Sequence, residues 1–205
     1  MTTTRTSHYI RIGLALALVL AVGALAGCSS GTSGKSNTSK PSAGMTAKEA
    51  LKTAVSTLTT AAPDGKLLVA QTAGPVSSTS TPVWEFLIGS PKTDVIYAVV
   101  IQQGKGQFEE YGKANLSSAE WAQVPAVDAW KIDSDVAHDK ALSVYPNGKT
   151  AAYVAGFVTY VPKSASTPGT KAMTWTYNFD PASKGKAATS TVDVDMVTGA
   201  AALAK

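Results

Sequence analysis

The sequence predicts an α+β fold of two repeated units, each a helix followed by an antiparallel three-stranded sheet, preceded by a leader and a disordered tether. Three observations carry this reading. Apolar residues recur at helical spacing twice, over 46–61 and 132–145. Each stretch is followed by three strand-like runs separated by Gly, Pro, Ser and Asp. The same order of elements then returns at nearly one offset along the 205 residues. The expected boundaries are 1–27 for the leader, 28–44 for the tether, 45–113 for the first unit, 114–131 for a linker with a short helix, and 132–205 for the second unit.

The first helix opens on Thr46-Ala47-Lys48-Glu49, a capping box in which Thr caps and Glu reaches back. Ala47, Ala50, Leu51, Ala54, Val55 and Leu58 supply its apolar face, and Pro63-Asp64-Gly65 stops it. Strand-like runs cover 67–73, 82–89 and 94–103. In the second of these, Trp84, Phe86 and Ile88 alternate with Val83, Glu85 and Leu87, the period of a half-buried strand. Ser117-Ser118-Ala119-Glu120 is a further capping box, opening the short linker helix that Pro125 stops. Ile132-Asp133-Ser134-Asp135 opens the second long helix, with Val136, Ala137, His138, Ala141, Leu142 and Tyr145 spaced along it. Pro146-Asn147-Gly148 ends it, and strands are expected over 152–161, 173–179 and 191–197, with a short return over 200–203. Ala50 and Ala54 lie 87 residues before Ala137 and Ala141, while Trp84, Phe86 and Ile88 lie 91 before Trp175, Tyr177 and Phe179.

Charge and cysteine usage narrow the chemistry. The only arginines, Arg5 and Arg11, lie in the leader, and from Met45 onward 14 Lys balance 14 Asp plus Glu. The net charge of +4 therefore belongs to the leader and tether, and no basic domain face for nucleic acid is expected. Without arginine the domain lacks the planar fork that reads phosphate bidentately. Cys28 is the lone cysteine, so intramolecular disulfides and Cys/His zinc clusters are excluded. No metal and no cofactor is expected.

Residues 12–25 form a continuous apolar and glycine stretch behind Arg5 and Arg11, ending Leu25-Ala26-Gly27-Cys28. That ending is similar to the lipobox of bacterial lipoproteins. The resemblance implies cleavage before Cys28, acylation of its sulfur, and tethering to the extracytoplasmic face of the cell membrane. Ser29 after Cys28 would permit outer-membrane sorting in an organism with two membranes. Residues 29–44 carry no large apolar side chain and cannot offset their ordering entropy. As a Gly/Ser-type chain this tether reaches about 20–25 Å.

The second unit carries Asp135-Val136-Ala137-His138-Asp139-Lys140-Ala141 and ends Asp195-Met196-Val197-Thr198-Gly199; the first carries Glu49-Ala50 and Ala54. These residues resemble the PepSY family of small extracytoplasmic bacterial domains, with a helix and antiparallel strands ending near D-x-x-T-G. The resemblance implies a binding or regulatory role without catalysis, restraining or docking an exported protein such as a peptidase. The D-x-x-T-G turn at Asp195, Thr198 and Gly199 also has a local reading: Asp and Thr bond nearby backbone, and Gly accepts positive φ. A carrier or sensor of a lipid or small apolar ligand is the competing expectation, and the domain is expected to be monomeric.

Other chemistry is weakly marked. His138 is the domain's one group with an ordinary pKa near neutrality, beside the apolar face of its helix. No G-x-S-x-G occurs, and Ser183-Lys184-Gly185-Lys186 has the S-x-x-K spacing without its companion motifs. Asp133, Asp135 and Asp139 read as helix caps and dipole partners. Trp84 and Trp175 read as core. Trp121 and Trp130 flank the junction of the units, where they serve either a partner groove or the packing of the linker.

Overall fold

A computed structural model describes residues 44–77, 82–126, 129–161, 170–171, 173–180 and 190–204. The leader with Cys28, the tether before Gly44 and the Ser183–Lys186 stretch lie outside these residues. The fold is α+β, dominated by one large antiparallel sheet.

Helix α1 (Ala47–Thr57) is followed by β1 (Lys66–Thr72), β2 (Trp84–Ser90), β3 (Val95–Gln102) and β4 (Lys105–Lys113). Helix α2 (Ser118–Gln123) leads to α3 (Ser134–Val144), β5 (Tyr153–Val158), β6 (Tyr160–Val161), β7 (Thr170–Lys171), β8 (Thr174–Phe179), β9 (Ser190–Asp195) and β10 (Ala201–Leu203). Eight strands form one sheet in the order β10-β9-β8-β5-β1-β2-β3-β4, while β6 and β7 make a separate hairpin. All pairings are antiparallel, and β1 joins β5 at the centre, with Ala70 opposite Phe157 and Gln71 opposite Gly156.

This corrects the expectation of two three-stranded sheets. The missing piece on one side is β4, whose residues point almost wholly into solvent because it is the outermost strand. A strand exposed on both faces has no burial to impose alternation, so Gly106-Gln107-Phe108-Glu109-Glu110 carries no period-2 signal. The strand expected over 152–161 is also divided. At Thr159 the chain leaves the main sheet: its amide donates to Leu68 O at 2.8 Å and its hydroxyl to Leu67 O at 2.5 Å. These bonds meet β1 at its register shift between Leu67 and Val69.

The helix starts follow the local chemistry. Both capping boxes form, Thr46 with Glu49 and Ser117 with Glu120. The N-cap of α3 is Asp133, and its carboxylate serves two helices: Oδ1 accepts from the Ser134 amide at 2.7 Å and from the Lys48 amide in the first turn of α1 at 3.2 Å. Ser134 Oγ accepts from the Ala47 amide at 2.9 Å. The orphan amides of α1 are thus satisfied across the molecule, which ties the two helix starts together.

One contiguous core lies between the helices and one face of the sheet. Ala47, Ala50 and Ala54 of α1, and Ala137 and Ala141 of α3, are fully buried. Small side chains at these contacts let the helices lie close on large residues of the sheet, including Trp84, Phe86, Trp175, Tyr177 and Phe179. Trp175 is fully buried, edge-on to Trp84 at 6.1 Å and to Phe157 at 4.7 Å, and stacked with Trp130 at 5.6 Å. The indole N–H of Trp84 donates to Met45 O at 2.9 Å, and that of Trp175 to Ile132 O at 3.0 Å.

Candidate functional site

The two junction tryptophans lie on different faces of the sheet. Trp121, on α2, belongs to a second apolar cluster with Leu68, Val124 and Tyr160. Leu87 and Gly89, which border it, alternate with Phe86 and Ile88, so this cluster is on the face opposite α1. Gly89 is the socket for the indole: a Cβ there would collide with the Trp121 ring. The Trp121 N–H donates to Asp94 Oδ1 at 3.1 Å. Trp130 sits in the main core, 4.7 Å from Phe157 and stacked on Trp175, with Lys48 Nζ 5.8 Å from its ring centre. Each residue is 4 % exposed, so both rings serve packing and neither offers an open face to a partner in this conformation.

The gap beside Trp130 is narrow. It is lined by Pro125, Trp130, Phe157, Met173 and Met196 among others, and has room for about 10 Å³. That is space for about one water, whereas small-molecule sites occupy ~300 Å³ or more.

His138 is enclosed by aromatic rings, with Tyr153 at 4.6 Å, Tyr177 at 5.7 Å and Phe179 at 6.3 Å. Its Nε2 is buried and meets no hydrogen-bond partner among the described residues. Burial pulls its pKa below the ordinary value, and the neighbouring Asp139 carboxylate only partly opposes this. The unfolded chain therefore takes up a proton near pH 6.5 that the folded chain refuses, so stability falls as pH drops through that value. Thermal unfolding should show Tm declining from pH 7.5 to pH 5.5 in the wild type, with a flatter profile in His138→Phe. An unchanged slope in that variant would assign the dependence to other groups.

The Asp195 turn forms as its residue types predict. Asp195 Oδ1 accepts from the Val197 amide at 2.9 Å, the Thr198 amide at 2.6 Å and the Thr198 hydroxyl at 2.9 Å. These bonds hold its carboxyl below the usual range. Gly199 has φ +74°, and the chain reverses into β10. Val197 and Thr198 at its tip are exposed and the turn's donors bond within it, so its geometry is that of a strand reversal.

The sheet face turned away from α1 and α3 carries a second set of side chains, part of it packed under α2. The strand registers place Val100, Glu85, Gln71, Gly156, Thr176 and Asp193 in one row crossing six strands. Gln71 Nε2 donates to Glu85 at 2.9 Å, and the Thr176 hydroxyl to Asp193 at 2.8 Å. Beyond Val100 the row is polar, half-buried, held by two hydrogen bonds of its own, and interrupted by a side-chain-free position at Gly156. Sequence reasoning did not single it out, because it exists only once β1 pairs with β5.

Among the described residues no group of His, Cys, Asp and Glu is placed to hold a metal ion, and no helix is long and apolar enough to cross a membrane. No family model, curated protein or solved structure matches this chain.

Proposed function

We propose that this chain is an exported lipoprotein, anchored through acylated Cys28, whose domain binds another exported protein and restrains or docks it without doing chemistry. The anchor rests on the Leu25-Ala26-Gly27-Cys28 ending behind an apolar stretch. The binding role rests on one observation: the ordered polar row from Val100 to Asp193 on the sheet face that the two long helices leave free. A face with preset hydrogen-bonding groups suits a folded partner, since little ordering is required on association. The tether before Met45 allows that face to reach a partner about 20–25 Å from the bilayer. The gap beside Trp130, with about 10 Å³, is too small to serve as the ligand site of the carrier reading.

The domain is further read as a duplication of a PepSY-like helix-and-strands unit. The matched bonds Trp84–Met45 and Trp175–Ile132 support this, their donors standing 91 residues apart and their acceptors 87.

The test is photocrosslinking in living cells, with a photoreactive amino acid placed in the full chain at Val100, Thr176 or Lys52. Adducts to the same exported protein from Val100 and Thr176, with none from Lys52 on α1, are expected. Cys28→Ser should move the chain out of the membrane fraction and abolish its labelling by fatty acid. Equal adducts from Lys52, or none from the sheet positions, would overturn the docking face; membrane retention of Cys28→Ser would overturn the anchor.

A further inference from the structure

We propose that β4 is a self-association edge, through which two copies of this chain pair their β4 strands antiparallel about Gln107. This departs from the expected monomer and does not depend on the anchor or on the polar row.

The two edges of the sheet differ. At one end β10 has three residues; at the other β4 has nine, and among the described residues no strand pairs with its outer side. Proteins commonly blunt an open edge by shortness, bulges or charge. On β4 the irregularity lies beyond its middle: the β3–β4 ladder is regular from Gln102 opposite Lys105 to Tyr97 opposite Glu110, and shifts only past that point. The regular stretch is the part offered to a second copy.

The charges on that stretch select a register. Pairing about Gln107 sets Lys105 opposite Glu109 of the second copy, and symmetry makes this contact twice. Pairing about Phe108 would set Lys105 opposite Tyr111 and gain no ion pair. Pairing about Glu109 would oppose Glu109 with itself and, twice by symmetry, Lys105 with Lys113, all like-charge contacts. Phe108 is 46 % exposed, lies edge-on to Tyr97 at 6.0 Å, and leaves apolar surface at the strand edge. On the same face a Cβ at Gly106 would collide with Thr57, so the space over that glycine is already filled by α1. The partner this edge fits is therefore a second copy of the chain, in the register that sets Lys105 opposite Glu109 twice.

The test uses cysteine substitutions in the full-length protein, purified in detergent and treated with a mild oxidant. In the proposed register Gln107 faces itself, and opposed antiparallel residues have Cα atoms about 4.5–5.5 Å apart, within disulfide reach. Gln107→Cys should yield a disulfide-linked dimer, well above the wild type, whose one thiol position is Cys28, and above Lys52→Cys, Phe108→Cys and Glu109→Cys. Adding Lys105→Glu should lower that yield about tenfold, as two attractions become two repulsions. Adding Glu109→Lys to the same chain should restore it. Cross-linking strongest at Phe108→Cys or Glu109→Cys, yield at Gln107→Cys no better than at Lys52→Cys, or indifference to Lys105→Glu would each overturn the proposal. All four positions are solvent-exposed, so loss of fold does not confound the reading.

Discussion

Trp175→Ala should destabilise the domain more than any other single side-chain truncation considered. The residue is fully buried where the two halves of the core meet, in ring contact with Trp84, Trp130, Phe157 and Tyr177. Truncating a buried aromatic costs about 3–5 kcal/mol through lost transfer energy and the cavity left behind. The change also strands the Ile132 carbonyl at the start of α3, which accepts the indole N–H. Against a typical stability of about 5–15 kcal/mol this is a large fraction. For a domain of this size it corresponds to a fall of about 10 °C in Tm. Trp175→Phe keeps most of the volume and removes the donor, so it should fall between the two. Trp121→Ala makes a useful comparison: that ring fills a satellite cluster with only three other buried residues, and its loss should cost less. Calorimetry on the three variants would rank them, and a Tm change under about 3 °C for Trp175→Ala would contradict the central role assigned to it.

Gly156→Val should be the most damaging substitution at a glycine of the central strands. Gly156 lies on β5 opposite Gln71 of β1, in the one strand pair that joins the two halves of the sheet. A Cβ there would sit 2.8 Å from the Ala70 carbonyl oxygen and 2.8 Å from Gln71 Cβ. The first of these is backbone and cannot rotate away, so β5 must move off β1. Overpacking of this kind costs about 1–3 kcal/mol, with local separation of the strands. Gly74→Val is the control, because a Cβ at Gly74 meets nothing within 4 Å. Hydrogen exchange should quicken first at β1 and β5 in Gly156→Val, and circular dichroism should report a lower Tm. Exchange that quickens at β3 and β4 first would mean that the strain is relieved elsewhere.

The two variants probe different levels of the architecture. Trp175 reports packing between layers, and Gly156 reports pairing within the sheet. If the halves were independent folding units, Gly156→Val would leave each half protected. One shared core predicts cooperative loss of both, since Trp84 of one half touches Trp175 of the other.

What the chain settles locally is legible from residue order. The capping boxes at Thr46 and Ser117, the alternation around Trp84, and the Asp195 turn are all decided by neighbours a few residues away, and all appear where residue types place them. Their energies arise from backbone satisfaction and side-chain period, which are short-range properties. Three features are not local. The merger of the strands into one sheet depends on β1 meeting β5 at a sequence separation of 83 or more, as the Ala155–Thr72 contact illustrates. The existence of β4 depends on β3 offering it an edge, because its own residues are too exposed to carry a pattern. The burial of Trp121 and Trp130 depends on which face of the assembled sheet each segment reaches, Gly89 receiving one ring and Trp175 the other. Long-range pairing carries no signature in a window of residues, so these positions were decided by the sheet itself.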